Sequence, residues 1–217
     1  MAGARLRHGT TMSTMIPPRK RHIKKLPSLL ADLVADQPHP VHIRLLFQDE
    51  GRFGRINDTR RCWAPRQIRP QTSRQVVRES IYAFGAVCPH DGSLSSLVMP
   101  WSDYETMSIF LAHTASLYPH DLCIMVLDQA GWHRTAHLRI PASIRLLWLP
   151  PYSPELNPAE HIWDHLEENW LRNTAFATLD AVEQTVCDGL RALTRNPALV
   201  KSMTLFDWIN TIPLTYN

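Results

Sequence analysis

Two short apolar runs, "VHIRLLFQD" (41–49) and "LCIMVLD" (122–128), each finish on an aspartate. Both are too short for a buried helix and far below the ~20 residues of a membrane span. Flanked by turn residues, they read as strands. In an open α/β sheet, ligands gather beyond the carboxyl ends of the strands. If these two strands are neighbours, Asp49 and Asp128 converge at one edge of the sheet. Unpaired carboxylates placed so would repel and raise each other's pKa values. A divalent cation removes that problem, and hard carboxylate oxygens suit magnesium or manganese.

A third acid arrives on a stiff approach. "LPPYSPELNPAEHIWDHLEENW" (149–170) begins with four prolines in ten residues and then turns helical. Asn157 falls at the N-cap, Pro158 at the first helical position and Glu160 at the third. That spacing is a capping-box arrangement, so Glu160 reads either as a cap or as a carboxylate held near the sheet edge. The two roles can alternate between metal-free and metal-bound states. Glu50, Glu155 and Asp164 are the neighbouring acids. Strand geometry turns Glu50 to the face opposite Asp49, and Asp164 shares a helix face with Glu160.

The remaining chain alternates in the same way. "SLLADLVAD" (28–36) is expected as a short helix capped by Ser28. "RCWAP" (61–65), "SIYAFGAVCP" (80–89) and "LSSLVMP" (94–100) are expected as strands. "SDYETMSIFLAHTASLY" (102–118) has helical period, with Ser102 as N-cap and Glu105 completing a capping box. "HRTAHL" (133–138) reads as a short helix, "IRLLWLP" (144–150) as a strand, and everything from Asn157 to about Ile209 as two or three helices. Gly51 and Gly54 are expected to end the first strand. The implied architecture is a mixed five-stranded sheet flanked by helices, with an arginine-rich insertion between early strands.

With 217 residues, 44 % of them hydrophobic, the chain can bury one good-sized core or at most two small ones. Residues 1–26 read as a flexible basic leader, broken by Pro17-Pro18 and lacking the apolar stretch of a secretory signal, and 27–217 as the folded domain. The cysteines (62, 88, 123, 187) form no CxxC pair, so reduced thiols are expected. The net charge of +3 conceals an asymmetry. Residues 1–25 carry seven Lys/Arg and no acid, residues 52–78 eight arginines and only Asp58, and residues 79–217 fifteen acids against seven bases. Arginine without lysine or glutamate favours bidentate phosphate contacts over a merely solvated face, which points to nucleic acid.

Three stretches together, "LFQDEGRFGR" (46–55), "VLDQAGWH" (126–133) and "LPPYSPELNPAEHIW" (149–163), resemble the catalytic blocks of bacterial insertion-sequence transposases of the mariner-like superfamily. These are DDE enzymes with a ribonuclease H-like fold, and the resemblance spans roughly residues 27–210. It implies Asp49, Asp128 and Glu160 as the catalytic and metal-binding triad. It further implies two Mg²⁺ ions, which Mn²⁺ can replace, bridged by Asp49. The reaction implied is cleavage at element ends followed by transfer of the freed 3′-hydroxyl into target DNA. Arg52, Arg55, Arg60, Arg61, Arg66 and Arg69 are the candidate DNA contacts; His133, which follows Asp128 at the mouth of the site, is expected either to touch DNA or to support the acids from behind, with helix capping or plain exposure as the alternative. The resemblance also implies a homodimer, a bacterial cytoplasmic, nucleoid-associated location, no membrane attachment and no small-molecule cofactor. Two departures stand out. The 31 residues between Asp128 and Glu160 are slightly short of the usual spacing, and the helix-turn-helix modules that usually precede the domain have no counterpart in this sequence.

Other readings stay open. A ribonuclease H-like nuclease that cuts without joining, and a catalytically silent DNA-binding relative, fit the same acids. His161 and His165 have zinc-ligand spacing but no third ligand. Trp163 and Trp170 read as core packing. Trp63, inside the arginine-rich arm, reads as packing too, or as an exposed contact to DNA or a partner.

Overall fold

The longest strand, β1 (Val41–Gly54), organises everything else. The computed structural model describes residues 18–38, 41–56, 64–67 and 75–216, with the backbone path alone for 18–24. β2 (Ser80–Cys88) and β3 (Ser93–Met99) follow β1 as an antiparallel meander. After α2 (Tyr104–Leu117), β4 (Leu122–Leu127) pairs parallel with β1, and β5 (Ile144–Trp148) pairs parallel with β4. The order is β3-β2-β1-β4-β5, and a sixth strand, β6 (Thr215–Tyr216), pairs with the start of β1.

Helices cover both faces because alternate strand residues are apolar on both. Ile43, Leu45 and Phe47 of β1 pack towards α1 (Pro18–Val34), α3 (Glu160–Leu166), α4 (Leu179–Thr194) and α5 (Pro197–Thr204). Leu46, with Phe84, Met125 and Leu127, packs towards Met107, Phe110 and Leu111 of α2. A short α6 (Asp207–Asn210) precedes β6. The mixed sheet with helices on both faces is as expected, with six strands in place of five.

Several local expectations are corrected. β1 does not stop at Asp49; it runs through Gly51 to Gly54, because β2 continues to pair with it as far as Ser80. The helix expected over 28–36 is the second half of α1, which starts at Pro18, where a missing N–H costs nothing. α1 therefore crosses the boundary between the expected leader and body, and Leu26 and Leu30 are part of the core. The Ser28 hydroxyl donates to the Lys25 carbonyl and caps nothing. Asp103, not Ser102, caps α2: it accepts from the backbone of Glu105 and Thr106, and Thr106 completes the box. In place of a helix over 133–138 there is one 3₁₀ turn, Gly131–His133. Of the expected strand 61–65, residues 61–63 lie outside the described ones, and Ala64 and Pro65 are not in a strand. Among the described residues, no helix is long and apolar enough to cross a membrane.

Candidate active site

Register alone brings the two aspartates level. Phe47 is paired with Val126 at the end of the β1–β4 ladder, and Asp49 and Asp128 each stand two residues further on. Glu160 reaches them from the loop after β5. Asn157, buried at the entry to α3, donates from Nδ2 to the Gln48 carbonyl at 2.9 Å and thereby staples that entry to β1 beside Asp49. The Gln129 amide donates to the Leu149 carbonyl at 2.8 Å, tying the β4 exit to the proline segment. Asp49, Asp128 and Glu160 consequently line one cleft of about 490 Å³, whose wall is the segment Pro150–Pro154 and whose rim includes Arg134.

The expected cap at Asn157 is partly realised, since its Oδ1 accepts from the Ala159 amide at 3.2 Å. Glu160, however, opens α3 rather than sitting three residues inside it. Its carboxylate interacts with Asp49, so the capping-box role does not describe it.

The site gathers acidic groups whose proton affinities burial and neighbours pull apart. Burial first, then Glu160 and Glu50, push the Asp49 carboxyl up to about 8, against a lowering hydrogen bond from Trp163. Burial, then Asp164 and Asp128, raise Glu160. Asp128 behaves oppositely: its hydrogen bond from His133 holds it below the ordinary carboxylate range. Burial pulls the His133 imidazole down, but hydrogen bonds to Asp128 and Glu50 outweigh it and bring the ring to about 9. Among the described residues, no three His, Cys, Asp or Glu side chains stand close enough together to hold a metal ion as they are placed.

The candidate DNA contacts separate. Arg52 is exposed, although its Nε donates to the Ser80 hydroxyl at 3.0 Å. Arg66 is exposed at a turn. Arg55 is engaged: it donates to Glu79 at 2.8 Å and to the Phe176 carbonyl at 3.1 Å, fastening the base of the arginine-rich arm to the loop before α4. Arg60, Arg61, Arg69 and Trp63 lie outside the described residues. Of the two roles weighed for His133, the structure fits the supporting one: at 2 % exposure it lies between two carboxylates and holds Asp128. His161 stacks edge-on against Phe206 and His165 bonds Asn169, so the spacing that suggested zinc serves packing.

Three participants escaped the sequence. Glu50 does point away from Asp49, yet it joins the site through His133 at 2.8 Å. Trp163 is buried as expected, but its Nε1 donates to Asp49 Oδ2 at 2.9 Å. Arg134 places a cation on the cleft rim. The one available signal was periodicity: Trp163 is one turn beyond Glu160 on the same helix.

A mixed sheet ordered β3-β2-β1-β4-β5, with acids at the carboxyl ends of adjacent parallel strands and a third acid on the following helix, is the ribonuclease H-like arrangement. Residues 44–183 match the family of DDE superfamily endonucleases, and the chain belongs to it. It is 41 % identical over 128 residues to an uncharacterized protein, y4pE/y4sA, of Sinorhizobium fredii (strain NBRC 101917 / NGR234), covering 58 % of this chain and 95 % of that one. Its fold is similar to that of the mariner Mos1 paired end complex with Mn (TM-score 0.51, 12 % identity, 95 % of this chain and 67 % of that chain). The Mos1 strand transfer complex is similar to the same degree (TM-score 0.51, 13 % identity, 94 % and 67 %). At such identities the likeness is one of fold.

Proposed function

We infer that this chain is the catalytic domain of a DDE transposase, with Asp49, Asp128 and Glu160 as its catalytic acids. The observation that carries the reading is the register that sets Asp49 and Asp128 level on adjacent parallel strands, with Glu160 delivered to the same cleft. The Mos1 structures whose fold it shares are described as paired-end and strand-transfer complexes, one with Mg and one with Mn. Those descriptions support DNA ends and target DNA as substrates, and Mg²⁺ (or Mn²⁺) as the cofactor. We place two ions per site, a homodimer and a bacterial cytoplasmic location in the same proposal.

The donor set fits a hard divalent cation. All three acids are carboxylates in one cleft, and burial, then the neighbouring Glu160 and Glu50, drive Asp49 to take up a proton. Asp49, Asp128 and Glu160 would hold it. When bound, it supplies electrostatic stabilisation of the charge that develops at the attacked phosphate and activates the attacking hydroxyl. The chain's own groups do the rest. His133 keeps Asp128 ionised. Asn157 and the prolines fix where Glu160 enters. Arg134 lines the cleft, and we assign DNA contacts to it, to the exposed Arg52 and Arg66 and, from the arm's composition, to Arg60, Arg61 and Arg69.

The deciding assay incubates the chain with Mg²⁺, a labelled oligonucleotide and supercoiled plasmid. Joining that requires a 3′-hydroxyl on the oligonucleotide is the expected result. Cleavage without joining would replace the proposal with a nuclease, and neither reaction with a silent DNA-binding relative.

A further inference from the structure

Both aspartates are gripped from outside the cleft, and the two grips are unrelated in sequence. Trp163, 6 % exposed, donates its indole N–H to Asp49 Oδ2 at 2.9 Å. The ring can reach that oxygen because it lies over two glycines of adjacent strands. A Cβ on Gly51 would stand 2.9 Å from indole Cδ2, and one on Gly85 would stand 2.7 Å from Cη2. Gly85 is the residue opposite Asp49 in the β1–β2 register. Simple packing requires no such shelf: a phenylalanine would fill a hydrophobic site, and an indole needs only some acceptor.

Asp128 is held by a different chain of contacts. Its Oδ1 accepts from the Ala130 amide and from His133 Nδ1, both at 3.0 Å. His133 Nε2 in turn meets Glu50 Oε1 at 2.8 Å, with His133 and Glu50 side chains 1 % and 9 % exposed against 58 % for Asp128. Because strand residues alternate faces, the consecutive pair Asp49-Glu50 serves both carboxylates. Asp49 enters the cleft as an acid, and Glu50 braces Asp128 from the other face through the imidazole.

We propose that Trp163, and the Glu50–His133 pair, are positioning residues that each occupy one oxygen of a catalytic aspartate, so that a cation takes the other oxygen in a fixed orientation. The inference deepens the metal reading above and rests on it. Outer donors of this kind commonly change metal affinity by about 10–100-fold.

The test is calorimetric titration of Mn²⁺ into the full chain. Trp163→Phe removes the N–H together with the outer ring atoms that lie over Gly85. It should weaken Mn²⁺ by about 10–100-fold and lower the joining rate without changing KM for DNA, with DNA affinity near wild type; thermal stability falls with the lost ring packing, so binding and rates are compared well below the variant's melting temperature. His133→Gln, which breaks the bridge between Asp128 and Glu50, should weaken Mn²⁺ similarly. The Trp163→Phe loss should vanish in an Asp49→Asn background, because the two act through one contact. In NMR spectra the Trp163 indole resonance should move on adding Mg²⁺, and stay still in Asp49→Asn. Trp163→Phe binding Mn²⁺ as tightly as wild type, while Asp49→Asn binds it measurably more weakly, overturns the positioning role and leaves the function standing. Wild type that takes up no Mn²⁺ overturns both.

Discussion

At the scale of single residues, the site trades proton affinity against cation affinity. Asp49 titrates at about 8 in the fold against an ordinary value of 3.8, so the folded chain holds a proton there that the unfolded chain has released. Stability therefore falls as pH rises between those values. The raised His133 acts in the same direction: its contribution is complete below 6.5 and is lost as pH rises through about 9. Asp128, lowered, contributes fully above the ordinary carboxylate range and is already complete at pH 5. The expected result is a metal-free melting temperature that drops steadily from pH 5 to pH 9. The slope should flatten in Asp49→Asn and when Mn²⁺ is added, since the ion displaces the proton. Asp128→Asn should reduce single-turnover cleavage by about 10²–10³-fold or more, in line with losing one preorganised charged group. Strand joining on a pre-cut end is the readout that isolates it.

Between residue and molecule stand the elements, and here the contact of α3 with the sheet decides the geometry. The indole of Trp163 stands on Gly51 and Gly85 and meets Phe53 edge-on at 5.9 Å. Gly85→Ala puts a methyl group into that ring, and overpacking of this kind costs about 1–3 kcal/mol. Urea denaturation should show that loss, together with weaker Mn²⁺ binding, because the ring cannot retreat without releasing Asp49. The entry to α3 is equally specific. Asn157→Ala leaves the buried Gln48 carbonyl without its 2.9 Å donor, a loss of about 1–3 kcal/mol. It also frees the helix start that carries Glu160. Activity should fall by more than stability does, and comparing rates well below the melting temperature separates the two.

Across the whole molecule, charge is distributed by region. The arm over 52–78 concentrates arginines while the body is acidic, and each phosphate neutralised by the arm steepens the salt dependence of DNA binding by about 0.9 in log–log slope. Replacing Arg66 and Arg69 together should make the slope shallower by about 2 if both meet phosphates. Arg55→Ala should leave the slope unchanged and lower stability, because its guanidinium is committed to Glu79 and the Phe176 carbonyl. Binding measured from low to moderate salt distinguishes these outcomes.

Periodicity by itself determined the alternation of strands and helices, the two-faced sheet and the three acids at its edge. Those follow from local apolar pattern, turn residues and the rigid proline approach, all of which act over a few residues. Three motifs in that order also indicated the family before any coordinate was known. What only the tertiary structure decided are contacts between residues far apart in the chain. Glu50 reaches His133 across 83 positions, and Trp163 reaches Asp49 across 114. Asp49 is inside a long strand rather than at its end because β2 pairs beyond it. His161 is an edge-on neighbour of Phe206 rather than a ligand. Spacing along a helix or strand says which face a side chain occupies, but the groups that meet it there are set by packing of the whole sheet. That is why the sequence named the carboxylates and His133 beside them, but read Trp163 as packing and gave Glu50 no partner.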